Sequence, residues 1–181
     1  MTKENHTKYA VLGLLTTGCH TGYSIKQMIH GRLNHFWKIS YGQIYPTLKH
    51  LVDEDLATVM NSTQDGKPDK KEYHITQKGE LALQSWLQTP INDIPTEKNE
   101  LLLKLFFSRH QSIDITINHI NTYYEKLRLR FNTYEDITKM ISENLSEKAD
   151  AQFWLITLDY GKRMTQSAIE WCEDAMKKLE E

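Results

Sequence analysis

The sequence predicts a mainly α protein with a single β-hairpin, organised as two helical units in series. Three observations lead to this. Apolar residues recur at three- and four-residue steps over most of the 181 residues, the period of amphipathic helices. One stretch, Ala57 to Thr76, changes to the two-residue alternation of strands, with turn chemistry at Gln64-Asp65-Gly66-Lys67-Pro68-Asp69-Lys70. Finally, Pro90 and Pro95 frame an interruption after which the helical pattern becomes much longer.

The first helix is expected from Lys8 to Thr16, with Ala10, Val11, Leu14 and Leu15 on one side and Thr17-Gly18 as its stop. A second starts near Thr21-Gly22-Tyr23 and carries Ile25, Met28, Ile29 and Leu33 as its stripe. Asn34 to Ile39 leads to a third helix, for which Ser40 is the N-cap. Its apolar side is Ile44, Leu48, Leu51 and Val52; the opposite side offers Gln43, Thr47 and His50, flanked by Tyr41, Tyr45 and Lys49. Pro46 lacks an N–H and should distort the first turn. Ala57, Val59 and Tyr73, Ile75 form the alternating strands, and Thr76 opens a helix with Leu81, Leu83, Trp86 and Leu87. Three helices, a hairpin and a closing helix make a winged helix-turn-helix, expected over residues 1–89.

Residues 90–181 are expected to be an antiparallel helical domain. Glu97 to Arg109 is apolar on nearly all sides through Leu101-Leu102-Leu103-Lys104-Leu105-Phe106-Phe107, a pattern that predicts burial. A coiled-coil-like seam follows at Ile113, Ile117, Ile120, Tyr124, Leu127, Phe131, Tyr134, Thr138, Ile141 and Leu145. The final helix has a smaller seam: Trp154, Leu158, Gly161, Thr165, Ala168, Cys172, Ala175 and Leu179. Phe153, Tyr160, Met164 and Trp171 lie on an adjacent face, so this helix is expected to meet neighbours on two sides. A homodimer supplies the second neighbour most simply.

No apolar run approaches the ~20 residues of a membrane span, and the N-terminus lacks a signal-peptide core. With two distant cysteines, Cys19 and Cys172, a cytoplasmic location with reduced thiols is expected. The formal net charge of −2 is not that of a typical nucleic-acid binder. Its distribution is uneven, with 10 Lys and Arg against 8 Asp and Glu up to Thr89, and 12 against 16 from Pro90 onward. A mildly basic half joined to an acidic one suits a DNA reader with a second function.

Ser40, Tyr41, Gln43, Tyr45, Thr47, Lys49 and His50 are the candidate DNA-reading set, since a major groove admits a helix that offers amide, hydroxyl, imidazole and ammonium groups. The alternative is an ordinary solvated helix face. Tyr45 has a second option, its ring packed on the second helix with the hydroxyl outward. Lys67, Lys70 and Lys71 are candidate wing contacts to phosphate or minor groove, although Asp65, Asp69 and Glu72 dilute the charge. Tyr124, Phe153, Trp154, Tyr160, Met164 and Trp171 either line a pocket for a small apolar effector or are dimer core. Cys19-His20 with His30 and His35 matches no metal-site spacing, so no metal or other cofactor is expected. No phosphate-binding glycine loop, Gly-x-Ser-x-Gly or His-Glu-x-x-His motif points to catalysis.

Four separated pieces resemble the PadR-like transcriptional regulators: Ala10-Val11-Leu12-Gly13-Leu14-Leu15, Gly22-Tyr23-Ser24-Ile25, Gly42-Gln43-Ile44-Tyr45-Pro46-Thr47-Leu48 with Leu51, and Lys71-Glu72-Tyr73-His74-Ile75-Thr76-Gln77-Lys78-Gly79. The Tyr-Pro pair inside a recognition helix and the Tyr-x-Ile-Thr-x-x-Gly strand exit are the specific marks. Asp55 departs from the family's usual glycine, but Asp tolerates a left-handed backbone better than most residues. The C-terminal half is similar in length and layout to the longer, virulence-activator-type subgroup. The resemblance implies a dimeric repressor, sometimes an activator, with a possible small-molecule effector. Paired reading helices would then sit about one duplex turn (~34 Å) apart on a pseudo-palindromic site. The competing reading is a helical adaptor that uses its winged helix for protein contacts.

Overall fold

The computed structural model describes residues 6–34, 36–62, 70–92, 94 and 98–181, with the side chains of Ser62 and Lys70 outside that description. The chain forms two compact units, Met1–Ile94 and Pro95–Glu181. The division falls five residues beyond the expected boundary at 89.

In the first unit, α1 (His6–Thr16), α2 (Gly22–Met28), α3 (Tyr41–Asp53) and α4 (Gln77–Leu87) surround one core, and β1 (Ala57–Ser62) pairs with β2 (Lys70–Ile75). Helix α2 continues into one wider π-helical turn, Ile29–Leu33. Val11, Leu12, Leu15, Ile25, Ile29, Ile44, Leu48 and Leu51 are fully buried, so each of the first three helices contributes its predicted stripe. Each such side chain is worth about 1.5–3 kcal/mol of transfer free energy, which fixes the rotation of each helix about its axis. Local chemistry sets the ends. Thr21 and Ser24 exchange side chain–backbone bonds of 3.0 Å in each direction to start α2, and the Thr76 hydroxyl accepts from the Gly79 N–H to start α4.

Helix α3 stops in a Schellman turn. Leu56 N–H donates to the Leu51 carbonyl at 2.8 Å and Asp55 N–H to Val52 at 3.0 Å. This geometry needs a left-handed residue between them, and Asp55 supplies it with φ of 58°. Leu51 and Leu56 meet in the same core, the apolar contact that accompanies this turn.

The hairpin is antiparallel with Ala57 opposite Ile75, Val59 opposite Tyr73 and Asn61 opposite Lys71. Tyr73 N–H also donates to the His20 carbonyl at 2.7 Å, so the link between α1 and α2 lies along β2. Only the root of the hairpin is covered: Ala57 and Tyr73 are buried, whereas Val59 and Met60 are exposed. Of the predicted turn, Gln64 to Lys70, residues 64–69 lie outside the described residues, and Lys70 is the first residue of β2.

The second unit holds α5 (Glu100–Phe106), a 3-10 turn (Ser108–His110), α6 (Ile113–Asn144) and α7 (Ala151–Glu180). Helices α6 and α7 pair antiparallel. Ile120, Leu127, Tyr134 and Ile141 are buried at seven-residue intervals, facing Ala151, Leu158, Thr165 and Cys172 at the same interval. Small residues allow the close approach: a Cβ on Gly161 would sit 3.0 Å from the Tyr134 ring. Thr138, the polar break in the seam, returns its hydroxyl to the Tyr134 carbonyl at 2.7 Å.

Helix α5 departs from expectation. It is shorter than Glu97 to Arg109, and only Leu101 is buried, while Leu102, Leu103, Phe106 and Phe107 are exposed. An apolar surface on all sides needs cover on all sides, and one chain covers only the side that meets α6.

Candidate nucleic-acid interface

Helix α3 turns one side into the core and the other outward. Ser40, Tyr41, Gln43, Tyr45, Lys49 and His50 are exposed together on or beside its outer face. Thr47 is the exception. It was expected on that face, yet it is buried between Ile44 and Leu48, because 44, 47, 48 and 51 form a single stripe at helical spacing. Pro46 lies within a helix that runs unbroken from Tyr41 to Asp53.

Several of these exposed side chains have partners. Gln43 folds back over the start of α3, its Oε1 accepting from the Ser40 N–H at 3.1 Å and the Ser40 hydroxyl at 3.0 Å. Tyr45 is 62% exposed, but its ring lies against α2: a Cβ on Gly22 would come within 2.6 Å of Tyr45 Cε1. The absent side chain of Gly22 therefore makes room for this ring. Lys26 of α2 stands 4.4 Å from the Tyr41 ring centre, a cation–π contact that keeps its charge beside the start of α3.

At the other end, Glu54 ties α3 to its neighbours. It pairs with Lys8 of α1 and with His50 one turn before it at 3.2 Å. Lys78 of α4 donates to the Glu54 carbonyl at 2.8 Å. The hydrogen bond from Lys8 holds the Glu54 carboxyl below the usual carboxylate range, aided by the charges of Lys8, His50 and Lys78 and opposed by partial burial.

On the wing, Lys71 is exposed opposite Asn61. Lys70 is placed by its backbone only, opposite Ser62, and Lys67 lies outside the described residues. His20 and His74 stack at 4.5 Å at the root of the hairpin.

Residue-by-residue reading of the sequence missed the outer side of α2. Tyr23, Lys26 and Gln27 are exposed there, with Gln27 donating to the Tyr23 hydroxyl at 2.9 Å. The signal was available, since these positions are what the stripe of Ile25, Met28 and Ile29 leaves outside.

The six candidate effector residues do not converge within one chain. Tyr124 and Trp154 are half-buried between α6 and α7, with the Tyr124 hydroxyl bonded to Glu173 at 3.1 Å. Phe153, Tyr160, Met164 and Trp171 form an exposed stripe on the far side of α7. Seam positions and the adjacent face point away from each other, which divides the set. A different open cavity of about 320 Å³ is lined by Leu103, Lys104, Phe107, His110, Gln111 and His119. Among the described residues no group of three His, Cys, Asp or Glu could hold a metal ion, and no helix is long and apolar enough to cross a membrane.

The model of the PadR-like transcriptional regulator family matches residues 11–85, and that of the virulence activator alpha C-terminal domain matches residues 97–180. The negative transcriptional regulator PadR of Bacillus subtilis is 30% identical over 96% of this chain and 97% of its own length. The chain belongs to the PadR-like family of transcriptional regulators. The crystal structure of Bacillus subtilis PadR with operator DNA superposes with a TM-score of 0.85 at 27% identity, covering 97% of this chain and 99% of that one. The same protein in complex with p-coumaric acid gives 0.77 at 27% identity, over 96% and 98%. The Vibrio cholerae virulence activator AphA gives 0.74 at 25% identity, over 96% and 97%. Both halves of this PadR-like chain thus have relatives in the same order, and the fold is mainly α with a two-stranded wing.

Proposed function

We propose that the chain is a homodimeric repressor that binds a pseudo-palindromic operator with α3 in the major groove and the wing lysines on phosphates or in the adjacent minor groove. The observation that carries this reading is the outer face of α3, where Tyr41, Gln43, Tyr45, Lys49 and His50 stand exposed on a helix fixed from behind by Ile44, Leu48 and Leu51. The relative solved with operator DNA supports it. Lys26 joins the set as a phosphate contact, since the first helix of a helix-turn-helix crosses the backbone. The exposed stripe of Phe153, Tyr160, Met164 and Trp171, together with the exposed side of α5, supports a second copy as the missing cover. A chain concentrated in the cytoplasm, where its DNA lies, follows from the same reading.

A relative solved with p-coumaric acid supports a small aromatic acid as effector. In this chain the cavity beside Leu103 and Phe107 suits such a molecule better than the divided set of Tyr124, Phe153, Trp154, Tyr160, Met164 and Trp171, because apolar walls there meet Lys104, His110, Gln111 and His119.

The test is equilibrium binding of the full chain to duplex DNA over a range of salt. Neutralising several phosphates gives a log–log slope of about −0.9 per contact. A steep negative slope with two chains per duplex is expected. Absence of salt-dependent DNA affinity would favour a protein-binding adaptor.

A further inference from the structure

We propose that Gln43 reads the operator through its amide N–H₂ end alone, as a single donor to an acceptor atom on a base edge. This rests on the DNA-reading assignment above. The amide oxygen of Gln43 already accepts from the Ser40 N–H at 3.1 Å and the Ser40 hydroxyl at 3.0 Å. Its orientation follows from chemistry: a backbone N–H only donates, so the amide must turn its oxygen inward and its nitrogen outward. Among the described residues, no hydrogen bond engages that nitrogen, and the residue is exposed.

Glutamine commonly recognises adenine with both ends at once, the nitrogen donating to N7 and the oxygen accepting from the 6-amino group. Here the accepting half serves the first turn of α3, where N–H groups have no partner within the helix. Two-ended reading would have to open that contact. One-ended reading keeps it and selects a purine N7, guanine O6 or thymine O4 without consulting an exocyclic amino group. Ser40 becomes a positioning residue, since it decides which end of Gln43 faces the groove.

The experiment uses the full chain and a duplex that it selects from random DNA. Single bases are replaced by analogues that remove or weaken one acceptor (7-deazaguanine and 7-deazaadenine for N7, 6-thioguanine for guanine O6, 4-thiothymine for thymine O4) or remove adenine's donor (purine lacking the 6-amino group). Each duplex is measured with the unmodified chain, Gln43→Ala and Gln43→Glu. A coupling between residue and base atom is a difference of differences, so any general weakening by the substitution cancels.

One acceptor-altered analogue is expected to weaken binding about fivefold or more for the unmodified chain and to have no effect with Gln43→Ala. Gln43→Glu keeps an acceptor for the Ser40 N–H but has no donor, so it loses the same coupling while its melting temperature stays within about 2 °C. Coupling of Gln43 to the adenine 6-amino group would overturn the proposal in favour of two-ended reading. Coupling to no base atom would overturn it in favour of a capping role alone. Failure to select any duplex would instead refute the DNA-reading assignment itself.

Discussion

Gly79 stands in the first turn of α4, at the end of the Tyr-x-Ile-Thr-x-x-Gly exit from the wing, and its replacement by alanine tests how that motif works. A Cβ on Gly79 would lie 2.1 Å from the Leu56 carbonyl oxygen, 2.9 Å from Ile75 Cγ1 and 3.1 Å from the Leu56 carbonyl carbon. Non-bonded carbon atoms prefer about 3.5 Å, so α4 or the Leu56 backbone must move by roughly 1 Å. Neither is free. Leu56 O accepts from the Thr76 N–H at 3.0 Å, and the Thr76 hydroxyl bonds to the Asp55 carbonyl at 2.7 Å. Overpacking costs about 1–3 kcal/mol and a strained hydrogen bond about 1 more. The better helix propensity of alanine offsets about 1 kcal/mol. The net expectation for Gly79→Ala is a loss of about 2 kcal/mol, or roughly 10 °C in the melting of a unit this size. Calorimetry of the full chain, with hydrogen exchange over 76–87 to identify the unit that melts, measures it. An unchanged melting temperature and unchanged protection of α4 would refute the steric account of this glycine.

Other consequences follow. At Asp55 a left-handed backbone costs a side chain about 1 kcal/mol, so Asp55→Ala should lower stability by about 0.5–1 kcal/mol in urea. Asp55→Gly should stay within about 0.5 kcal/mol, because relieved strain offsets the extra freedom of the unfolded chain. Because the Glu54 carboxyl is held down by Lys8, its stabilisation is present in full above the unfolded value of about 4.3. It is lost as pH falls through the lower folded value. Glu54→Gln should therefore flatten the acid side of the stability–pH curve by about 1 kcal/mol or less, the size of a partly solvated pair. Tyr160→Asp with Met164→Asp, both exposed in one chain, should leave each chain folded but shift sedimentation towards the monomer. An unchanged dimer would mean that a different face is the interface.

Where each helix would lie was legible in the sequence because periodicity reports burial. The stripes of α1, α2 and α3 and the seams of α6 and α7 supply the observed cores, except at Ile113, which opens the α6 seam but is exposed at the helix start. Thr47 has a hydroxyl suited to the outer face but the position of an inward one. Spacing put it in line with Ile44, Leu48 and Leu51, and spacing decided its burial. Lys26 escaped notice because its partner, the Tyr41 ring, is fifteen positions away and meets it only through the packing of α2 on α3. The capping role of Gln43 is half visible in the sequence, since Ser40 suits the N-cap and a glutamine three residues on completes that signature. Helix α5 shows a different boundary. Its composition states that it must be covered, but composition carries no mark of whether the cover comes from the same chain or another.

Operator binding as proposed requires the outer face of α3 to read DNA from two copies. Selection of bound duplexes from random DNA by the full chain, at a stated salt concentration, tests this most directly. The predicted result is a two-fold symmetric consensus with half-sites centred about 10 base pairs apart, or a whole multiple of that turn. Recovery of no enriched sequence, or of a single asymmetric site occupied by one chain, would contradict it.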